Sequence, residues 1–351
     1  MPARRGGVPA VLTLFHESRF GLTRAAVFHK GRPHLYAEGY DNDASLALQG
    51  VRSVARLKSR NGNVAFLTLA DGSDAVLDAP QEIMHRLTEG AAVGVEIVAE
   101  ARREKIARAR YIATAEGAPR RLSPQMSLKD RLLNQALTWL GDQDVVNGDP
   151  DDVSDALNDA EEGALEPSGP LTGGGYLSIE RTRALIACDV DTAGGDDGMV
   201  HTARDFARGC NERAVTELAR RLRLSGFGGL IVIDLVGVRH DAERLRQLLL
   251  AAFAAEASGI VLGQFGKFGT FDFARPWGGC PLIDADPDLR SAHRLLRQAA
   301  ERAENERGRV VTLRAPVSTL DRIRPLLSGS LDPLAPMLRL EAAAKPEVVI
   351  L

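Results

Sequence analysis

The sequence predicts a mixed α/β protein with several domains, in which a small β-barrel precedes an α/β sheet domain and a small C-terminal α/β unit. The chain has 351 residues, which exceeds the ~100 to 200 residues of one typical domain. Short strands separated by turns occupy residues 8–112, whereas apolar strands alternate with long helices from Gly173 onward. With 44% apolar and 26% charged residues, the composition excludes a disordered chain and a membrane-spanning bundle.

The first part of the chain is predicted to form a series of short strands. Turn sequences such as Asn61-Gly62-Asn63 and Asp71-Gly72-Ser73 divide them. The predicted strands are Val8–Phe15, Arg24–Phe28, Pro33–Glu38, Gly50–Lys58, Asn63–Leu69, Ala75–Leu77 and Val93–Arg102. Strands of this length and spacing indicate a small barrel.

The pattern changes twice after the barrel. Helices are predicted over Leu128–Leu140 and Val153–Leu165, with an acidic stretch between them, and this is the predicted domain boundary. The sheet domain is predicted to contain strands Tyr176–Glu180, Ala184–Val190, Leu230–Val236 and Gly259–Gly263 and helices Arg204–Leu224 and Asp241–Glu256. The closing unit is predicted to contain helix Leu289–Glu306, strand Arg309–Arg314 and helix Val317–Leu327.

The distribution of charge and the spacing of the cysteines indicate in which compartment and with which partners the protein is expected to occur. The net charge is only −3, but basic residues are concentrated between Arg102 and Arg131, while Asp142 to Glu166 contains acids and no base. The three cysteines stand far apart, so neither a disulfide framework nor a four-cysteine zinc site is indicated. We therefore expect a reducing, cytoplasmic location and no membrane partner.

Two predicted strands of the sheet domain end in aspartate. Strand 184–188 leads to Asp189 and Asp191, and strand 230–233 leads to Asp234. Because side chains alternate along a strand, Asp189 and Asp191 point to the same side. Carboxylates that converge at the carboxyl ends of strands suit an oxygen-preferring cation such as Mg²⁺. The alternative is structural: the aspartates cap strand ends or pair with Arg181, Arg183 or Arg239.

A series of motifs in the second half resembles the ribonuclease E/G family. The family's Ser-Gly-Gly-Tyr, Thr-Glu-Ala-Leu and Asp-Val-Asn stretch is matched by residues 172–192, Thr-Gly-Gly-Gly-Tyr-Leu-Ser-Ile-Glu-Arg-Thr-Arg-Ala-Leu-Ile-Ala-Cys-Asp-Val-Asp-Thr. Asn211, the run Ala219-Arg-Arg-Leu-Arg-Leu and the run Gly228-Gly-Leu-Ile-Val-Ile-Asp234 follow at similar spacing. Residues 266–269, Gly-Lys-Phe-Gly, and 272–275, Asp-Phe-Ala-Arg, are similar to its Ser-Lys-Phe-Gly and Glu-Met-Ser-Arg segment.

The resemblance implies a domain organisation. It comprises an N-terminal β-hairpin segment over residues 1–40 as a remnant of an RNase-H-like domain, an OB-type RNA-binding barrel over 41–115, a linker with short helices over 116–170, a DNase-I-like catalytic domain over 171–280 and a small C-terminal domain over 281–351. Only about sixty residues separate the barrel from Gly173, which is too few for both the family's sensor of 5′ monophosphates and most of its RNase-H-like domain. No such sensor is expected.

The resemblance also implies site residues. Asp189 and Asp234 match the family's catalytic aspartates that bind Mg²⁺, and Asp191 is a further candidate metal ligand. Phe66 falls where the family stacks an RNA base on an aromatic ring, with barrel core as the alternative. The remaining RNA-binding candidates are basic: Arg102, Lys105, Arg108 and Lys267. For the basic segment between Arg102 and Arg110, a solvated surface is the alternative to phosphate binding.

Several positions depart from the family pattern. Asp191 replaces an asparagine, Gly237 replaces an acid and Arg183 replaces a glutamate. The family's zinc-binding Cys-Pro-x-Cys is Cys280-Pro281-Leu282-Ile283 here, and one thiolate per chain cannot complete a four-ligand site shared by two protomers. A zinc-linked dimer is therefore not expected, although a weak homo-oligomer is compatible with the sequence.

Three functions follow from these observations. The first is a Mg²⁺-dependent endoribonuclease that cleaves single-stranded RNA. The second is an RNA-binding relative that has lost turnover, which Asp191, Arg183 and Gly237 suggest. The third is an unrelated magnesium phosphoesterase for small molecules, which would leave the barrel without a role.

Overall fold

The computed structural model describes residues 11–141, 143–192, 203–237, 239–254, 256, 259–305 and 309–350. The strands of these residues are β1 (Val11–Arg19), β2 (Leu22–His29), β3 (Arg32–Tyr40), β4 (Arg52–Asn61), β5 (Val64–Thr68), β6 (Asp74–Asp78), β7 (Ala92–Ala99), β8 (Ala107–Thr114), β9 (Arg120–Arg121), β10 (Asp144–Asn147), β11 (Gly169–Pro170), β12 (Tyr176–Arg181), β13 (Ile186–Asp191), β14 (Gly229–Asp234), β15 (Val261–Phe265), β16 (Thr270–Arg275), β17 (Val311–Ala315), β18 (Leu338–Ala342) and β19 (Glu347–Ile350). The helices are α1 (Gln81–Arg86), α2 (Leu128–Leu140), α3 (Val153–Leu165), α4 (Ala203–Ser225), α5 (Ala242–Ala252), α6 (Pro287–Asn305) and α7 (Val317–Ser328). In the described part of the chain, no helix is long and apolar enough to cross a membrane.

The N-terminal sheet has the strand order β10-β1-β2-β3. Strand β2 is buried on both faces: Ala25 and Val27 belong to the apolar cluster that contains α2, and Ala26 and Phe28 belong to the one that contains α3. Strand β10 joins the edge of the sheet parallel to β1. The segment predicted as a linker thus supplies two helices and a strand that pack with the N-terminal strands. Strand β10 was not predicted, because all four of its side chains are exposed and leave no apolar alternation.

A closed five-stranded barrel follows. Its strands are hydrogen-bonded in the order β4-β5-β6-β8-β7, and β4 pairs with both β5 and β7, which closes the barrel. Helix α1 lies between β6 and β7 in sequence. The predicted barrel is therefore present, but the predicted strand Val93–Arg102 ends at Ala99, and residues 100–106 turn the chain into β8. Strand β8 was not predicted, because small alanines, rather than large apolar residues, alternate there with arginines.

The central sheet has the order β11-β12-β13-β14-β16-β15. Only β13 and β14 run parallel, and the other neighbours are antiparallel. Helices α4 and α5 cover one face, where Leu218, Leu222 and Leu249 pack on alternate residues of the strands. Strand β16 was not predicted. The chain reaches it through a tight hairpin after β15. Beyond this sheet, α6 and α7 pack with a three-stranded sheet in which β17 lies between β18 and β19.

Arginines of α4 join the N-terminal sheet to the central sheet. The buried Arg221 donates hydrogen bonds to the carbonyl oxygens of Pro167, Gly169, Pro170 and Leu177 at 2.8 to 3.2 Å. These bonds fix the segment that enters the central sheet, so this arginine serves the fold.

Glu217 on the same helix forms ion pairs with three arginines. Its Oε1 accepts hydrogen bonds from Arg32 and Arg220 at 2.6 Å and from Arg221 at 3.0 Å. Burial raises the pKa of Glu217, but the hydrogen bonds and charges of the three arginines outweigh it and lower the pKa to about 2.

A second buried ion cluster lies at the far end of α4. The carboxylate of Glu256 accepts from Arg223 at 3.2 Å and from Arg275 at 2.9 Å, and all three side chains are buried. Arg275 also donates to the carbonyl oxygens of Leu222 and Phe227 and lies 5.1 Å from the ring centre of Trp139 in α2. This cluster ties α2, α4 and β16 to the segment after α5.

The Glu217 cluster should make stability depend on pH. Since the folded pKa of about 2 lies below the ordinary 4.5, the ionised carboxylate stabilises the fold above about pH 5, and this contribution is lost as the pH falls toward 2. The shift corresponds to ~3 kcal/mol at 1.36 kcal/mol per pKa unit. In urea unfolding, we expect Glu217→Gln to be less stable than wild type at neutral pH and to lose less stability on acidification. Parallel pH profiles of the two proteins would contradict this assignment.

Removing the charge of Glu256 should be costly. Glu256→Gln leaves two buried guanidinium groups without a counter-charge, so we expect the free energy of unfolding to fall by about 3–5 kcal/mol. The fluorescence of Trp139, which stacks on Arg275, provides the signal in a denaturant titration. The matched control is Glu341→Gln, whose partner Arg314 is partly exposed and which should cost at most ~1 kcal/mol. Equal losses in the two variants would show that the buried cluster has no special role.

Candidate metal and nucleic-acid site

Asp189 and Asp234 lie side by side in the central sheet. They are direct partners in the parallel pairing of β13 with β14. The antiparallel neighbours extend this row, because Ser178 of β12 pairs with Asp189 and Thr270 of β16 pairs with Asp234. Partners in a ladder point to the same face, so two carboxylates stand together between two hydroxyl groups. The sequence predicted the two aspartates, but not the hydroxyls, whose position depends on strand order.

Strand alternation explains why these carboxylates face outward. In β13, Ile186, Cys188 and Val190 enter the core against α4 and α5. In β14, Ile231 and Ile233 do the same. The residues between them are forced to the opposite, uncovered face, where Asp189, Asp191 and Asp234 are all exposed.

Carboxylates that repel one another are clustered on this face. Partial burial, followed by the charges of Asp234, Asp191 and Glu180, raises the pKa of Asp189. Neighbouring carboxylates that repel one another are stabilised by a bound cation, and their oxygens are the donors that Mg²⁺ prefers. Arg181 and Arg183, the alternative partners considered from the sequence, instead pair with Asp284 and Glu104.

The donor set at this face is small. Within the described ranges, no group of three or more histidine, cysteine or carboxylate side chains is arranged to hold a metal ion, and Asp189 and Asp234 form a set of two. Magnesium commonly binds through one or two carboxylates and retains several waters, which fits such a pair. Asp191 follows on the same face of β13, and residues 193–202, which include His201, lie outside the described part of the chain.

Asn211 of α4 fixes the chain just beyond Asp234. Its side-chain amide donates to the carbonyl oxygen of Val236 at 3.1 Å and accepts from the Val236 backbone N–H at 3.0 Å. Asn211 is buried, so these two bonds satisfy both polar groups of the amide. In the sequence, Asn211 was only a motif match, and its partner could not be read because it lies on a different element.

Lys267 lies near the same row. It is exposed in the turn between β15 and β16, three residues before Thr270, the partner of Asp234. The turn contacts the segment after β14, because a Cβ on Gly269 would approach the Gly237 carbonyl oxygen to 2.6 Å. The structure therefore places the predicted cation Lys267 at the carboxylate end of the sheet.

The predicted RNA-binding residues of the barrel fall into two groups. Phe66, Val76 and Arg108 form one row across β5, β6 and β8 and point away from the barrel core. Phe66 is partly exposed, so the barrel-core alternative for it is wrong. Arg108 pairs with Asp78 at 2.6 Å on this outer face.

Arg102 and Lys105 lie in the turn between β7 and β8. Lys105 is exposed, whereas the Arg102 guanidinium stacks on Trp277 at 4.2 Å from the ring centre. Arg103, in the same turn, reaches Asp284, which also binds Arg181 of β12. The turn thus docks the barrel against the end of the central sheet that is opposite to the carboxylates.

The fold and the site define a class: a multidomain α/β protein that combines a closed β-barrel with an open sheet carrying a carboxylate pair. Residues 154–277 match the model of the Ribonuclease E/G family. The matched segment covers about a third of the chain and is similar to proteins of that family.

Curated relatives match about a third of the chain. Ribonuclease E from a Nostoc species is 33% identical over 121 residues, which are 34% of this chain and 17% of that protein. Ribonuclease E from Escherichia coli is 33% identical over 121 residues, or 32% of this chain and 11% of that protein. Ribonuclease G from Salmonella typhimurium is 30% identical over 132 residues, or 35% and 25% of the two chains. The match spans no more than a quarter of these three relatives.

The Asn211 contacts should matter for both stability and the site. Asn211→Ala leaves the buried N–H and carbonyl of Val236 without partners, which should lower the free energy of unfolding by about 1–3 kcal/mol. Because Val236 closely follows Asp234, any activity that depends on Asp234 should also fall at temperatures where the variant is fully folded. Thermal unfolding measures the first effect, and the rate of the RNA cleavage proposed below measures the second. The control is Asn134→Ala, at an exposed position on α2. A variant as stable and active as this control would contradict the assignment.

Proposed function

We propose that the protein is a Mg²⁺-dependent endoribonuclease that cleaves single-stranded RNA. The observation that carries the proposal is the direct pairing of Asp189 with Asp234 on neighbouring parallel strands of an uncovered sheet face. Support also comes from the family match over residues 154–277 and from relatives named ribonuclease E and ribonuclease G. We further propose that the RNA is a processing or decay substrate and that the protein acts in the cytoplasm.

Asp189 and Asp234 are the proposed metal ligands, with Asp191 as a third candidate on the same face. Magnesium held there would neutralise charge on the phosphodiester and lower the pKa of a bound water. The hydroxyls of Ser178 and Thr270 flank the carboxylates and can donate hydrogen bonds to phosphate oxygens. Lys267 is near enough in the fold to attract the phosphate chain toward this row.

The barrel is proposed to hold the RNA strand. Its strand order, with a parallel pair closing β6 against β8 and a helix between β6 and β7, supports an OB-type barrel over residues 41–115. The outer row of Phe66 and Arg108 combines an aromatic ring with a cation, as surfaces that bind single strands do. Lys105 is exposed and available to phosphates. Arg102 contributes indirectly, because its stacking on Trp277 docks the barrel.

Two of the departures from the family pattern, Arg183 and Gly237, lie where turnover can be retained. Arg183 lies in the turn between β12 and β13, away from the carboxylate end of β13, and pairs with Glu104. Gly237 lies three residues beyond Asp234 and leaves the Asp189–Asp234 pair intact. An RNA-binding relative without turnover is the second candidate, supported by the same barrel surface. A small-molecule phosphoesterase would not use that surface.

Domain assignments and assembly complete the proposal. The central sheet with α4 and α5 is proposed as a DNase-I-like domain over residues 171–280, and the N-terminal sheet as an RNase-H-like remnant. A zinc-linked dimer is not proposed. Burial, together with the charges of Glu100 and Asp284, raises the pKa of the Cys280 thiol to about 12, which opposes the thiolate that zinc requires. A weak homo-oligomer without zinc remains compatible with this proposal.

The decisive experiment is cleavage of a labelled, unstructured A/U-rich RNA in magnesium or in EDTA. Wild type should cut only in magnesium, and Asp189→Asn and Asp234→Asn should each reduce the rate at least ~100-fold, since each loses several kcal/mol of charge stabilisation. The control, Asp144→Asn on the exposed edge strand β10, should cut normally.

Two other outcomes would overturn the nuclease proposal. Equal RNA binding without cutting in all proteins would favour the RNA-binding relative. Faster hydrolysis of a small phosphate ester than of RNA, with RNA unable to compete, would favour the phosphoesterase.

A further inference from the structure

Two exposed aromatic side chains lie on either side of the carboxylate row. Phe268, in the turn between β15 and β16, is 87% exposed. Tyr176, the first residue of β12, is 39% exposed. Tyr176 pairs with Asp191, while Phe268 precedes Thr270 by two residues.

The backbone around Tyr176 is tightly held. Gly175 packs against α4 so closely that a Cβ would lie 2.3 Å from the Cys210 Sγ, and its φ of +95° favours glycine. Arg213 of α4 donates to the Gly174 carbonyl oxygen at 2.9 Å. Tyr176 therefore projects from a fixed point at the edge of the row.

The turn that carries Phe268 is equally well anchored. The Gly266 N–H donates to the Thr270 carbonyl oxygen at 2.7 Å, and Gly269 N–H donates to the Gly266 carbonyl oxygen at 3.3 Å. Beneath the turn, the rings of Phe265 and Phe271 stack with their centres 4.3 Å apart. The exposed ring is thus presented by a rigid hairpin, with the cation Lys267 beside it.

These features suit unpaired nucleobases. The exposed part of an aromatic ring contributes nothing to folding, but it offers a flat face on which any base can stack. The strands that bear Ser178 and Thr270 are three strand spacings apart, or about 14 Å. That separation is too large for one base to touch both rings, so each ring would meet a different base. The carboxylate pair lies between them.

We propose that Tyr176 and Phe268 are two base-stacking positions that seat unpaired nucleobases on either side of the phosphate to be cleaved. The inference rests on the proposed function, because it takes single-stranded RNA as the ligand of this face. Stacking on both sides would place one phosphate over Asp189 and Asp234. It would also select single strands at the site itself, since the faces of paired bases in a duplex are covered by their neighbours.

The test combines side-chain and base removal. The probe is an unstructured ten-nucleotide RNA and a set of variants of it with an abasic site at each position in turn. Binding is measured by fluorescence anisotropy in EDTA, and cleavage of the same RNAs is measured in magnesium. Phe268→Leu and Tyr176→Leu remove a ring but keep apolar volume. Phe268→Tyr and Tyr176→Phe keep the ring, and Leu331→Ala alters a fully exposed leucine of the C-terminal unit as a control.

We expect each leucine variant to bind the intact RNA about 5- to 150-fold more weakly, as loss of one stacked base predicts. The ring-retaining variants and the control should bind like wild type. An abasic site at one position of the RNA should weaken binding by wild type but should not weaken binding by Phe268→Leu any further. An abasic site at a different position should weaken binding by wild type but not weaken binding by Tyr176→Leu any further.

Failure of this inference is distinguishable from failure of the nuclease proposal. If wild type cuts RNA while both leucine variants bind and cut like it, the stacking positions are refuted and the nuclease stands. If wild type binds with the expected abasic pattern but never cuts, the stacking positions are supported and the nuclease is refuted. If wild type does not bind RNA, both are refuted.

Discussion

The parallel pairing of β13 with β14 is the interaction on which the candidate site depends. Its register places Asp189 directly beside Asp234. A shift by one residue would turn these aspartates into the core and Cys188 or Ile233 into water. The buried apolar face therefore enforces the register, and the register sets the distance between the carboxylates. The same packing that stabilises the domain thus builds the site.

Ion pairs and hydrogen bonds of buried charged side chains join parts of the chain that are distant in sequence. Arg221 and Glu217 fasten α4 to the N-terminal hairpin and to the entry of the central sheet. Glu256 joins Arg223 and Arg275, and Asp284 joins Arg103 to Arg181. These arginines are engaged in ion pairs and hydrogen bonds that hold the fold together. Among the basic residues proposed to bind RNA, Lys105 and Lys267 remain exposed.

The barrel and the carboxylates occupy opposite ends of the central sheet. The turn between β7 and β8 contacts the turn between β12 and β13, whereas Asp189 and Asp234 lie at the other ends of their strands. In the proposed function, a strand of RNA held on the barrel would therefore extend along the sheet before it reaches the Asp189–Asp234 pair. Exposed rings at the carboxylate row would give such a strand a second attachment point, independent of Phe66.

The sequence by itself determined the local elements and the chemistry that they bear. Helices α2 and α3 begin and end where the sequence predicted, because Leu128, Leu132 and Ala136 repeat with helical spacing and Leu157, Ala160 and Ala164 do the same. Alternation likewise predicted that Asp189 and Asp191 would share one side of a strand. The family resemblance came from the same local motifs.

Only the tertiary structure decided which elements are neighbours. Strands β8, β10 and β16 were missed because small, polar or hairpin-bound strands carry weak apolar patterns and gain their stability from partners distant in the chain. The pairing of Ser178 and Thr270 with the carboxylates, the contact of Asn211 with Val236 and the stacking of Arg102 on Trp277 are contacts of this kind. A residue's type and local period set what it can do, but its partners are set by long-range packing, which no local pattern encodes.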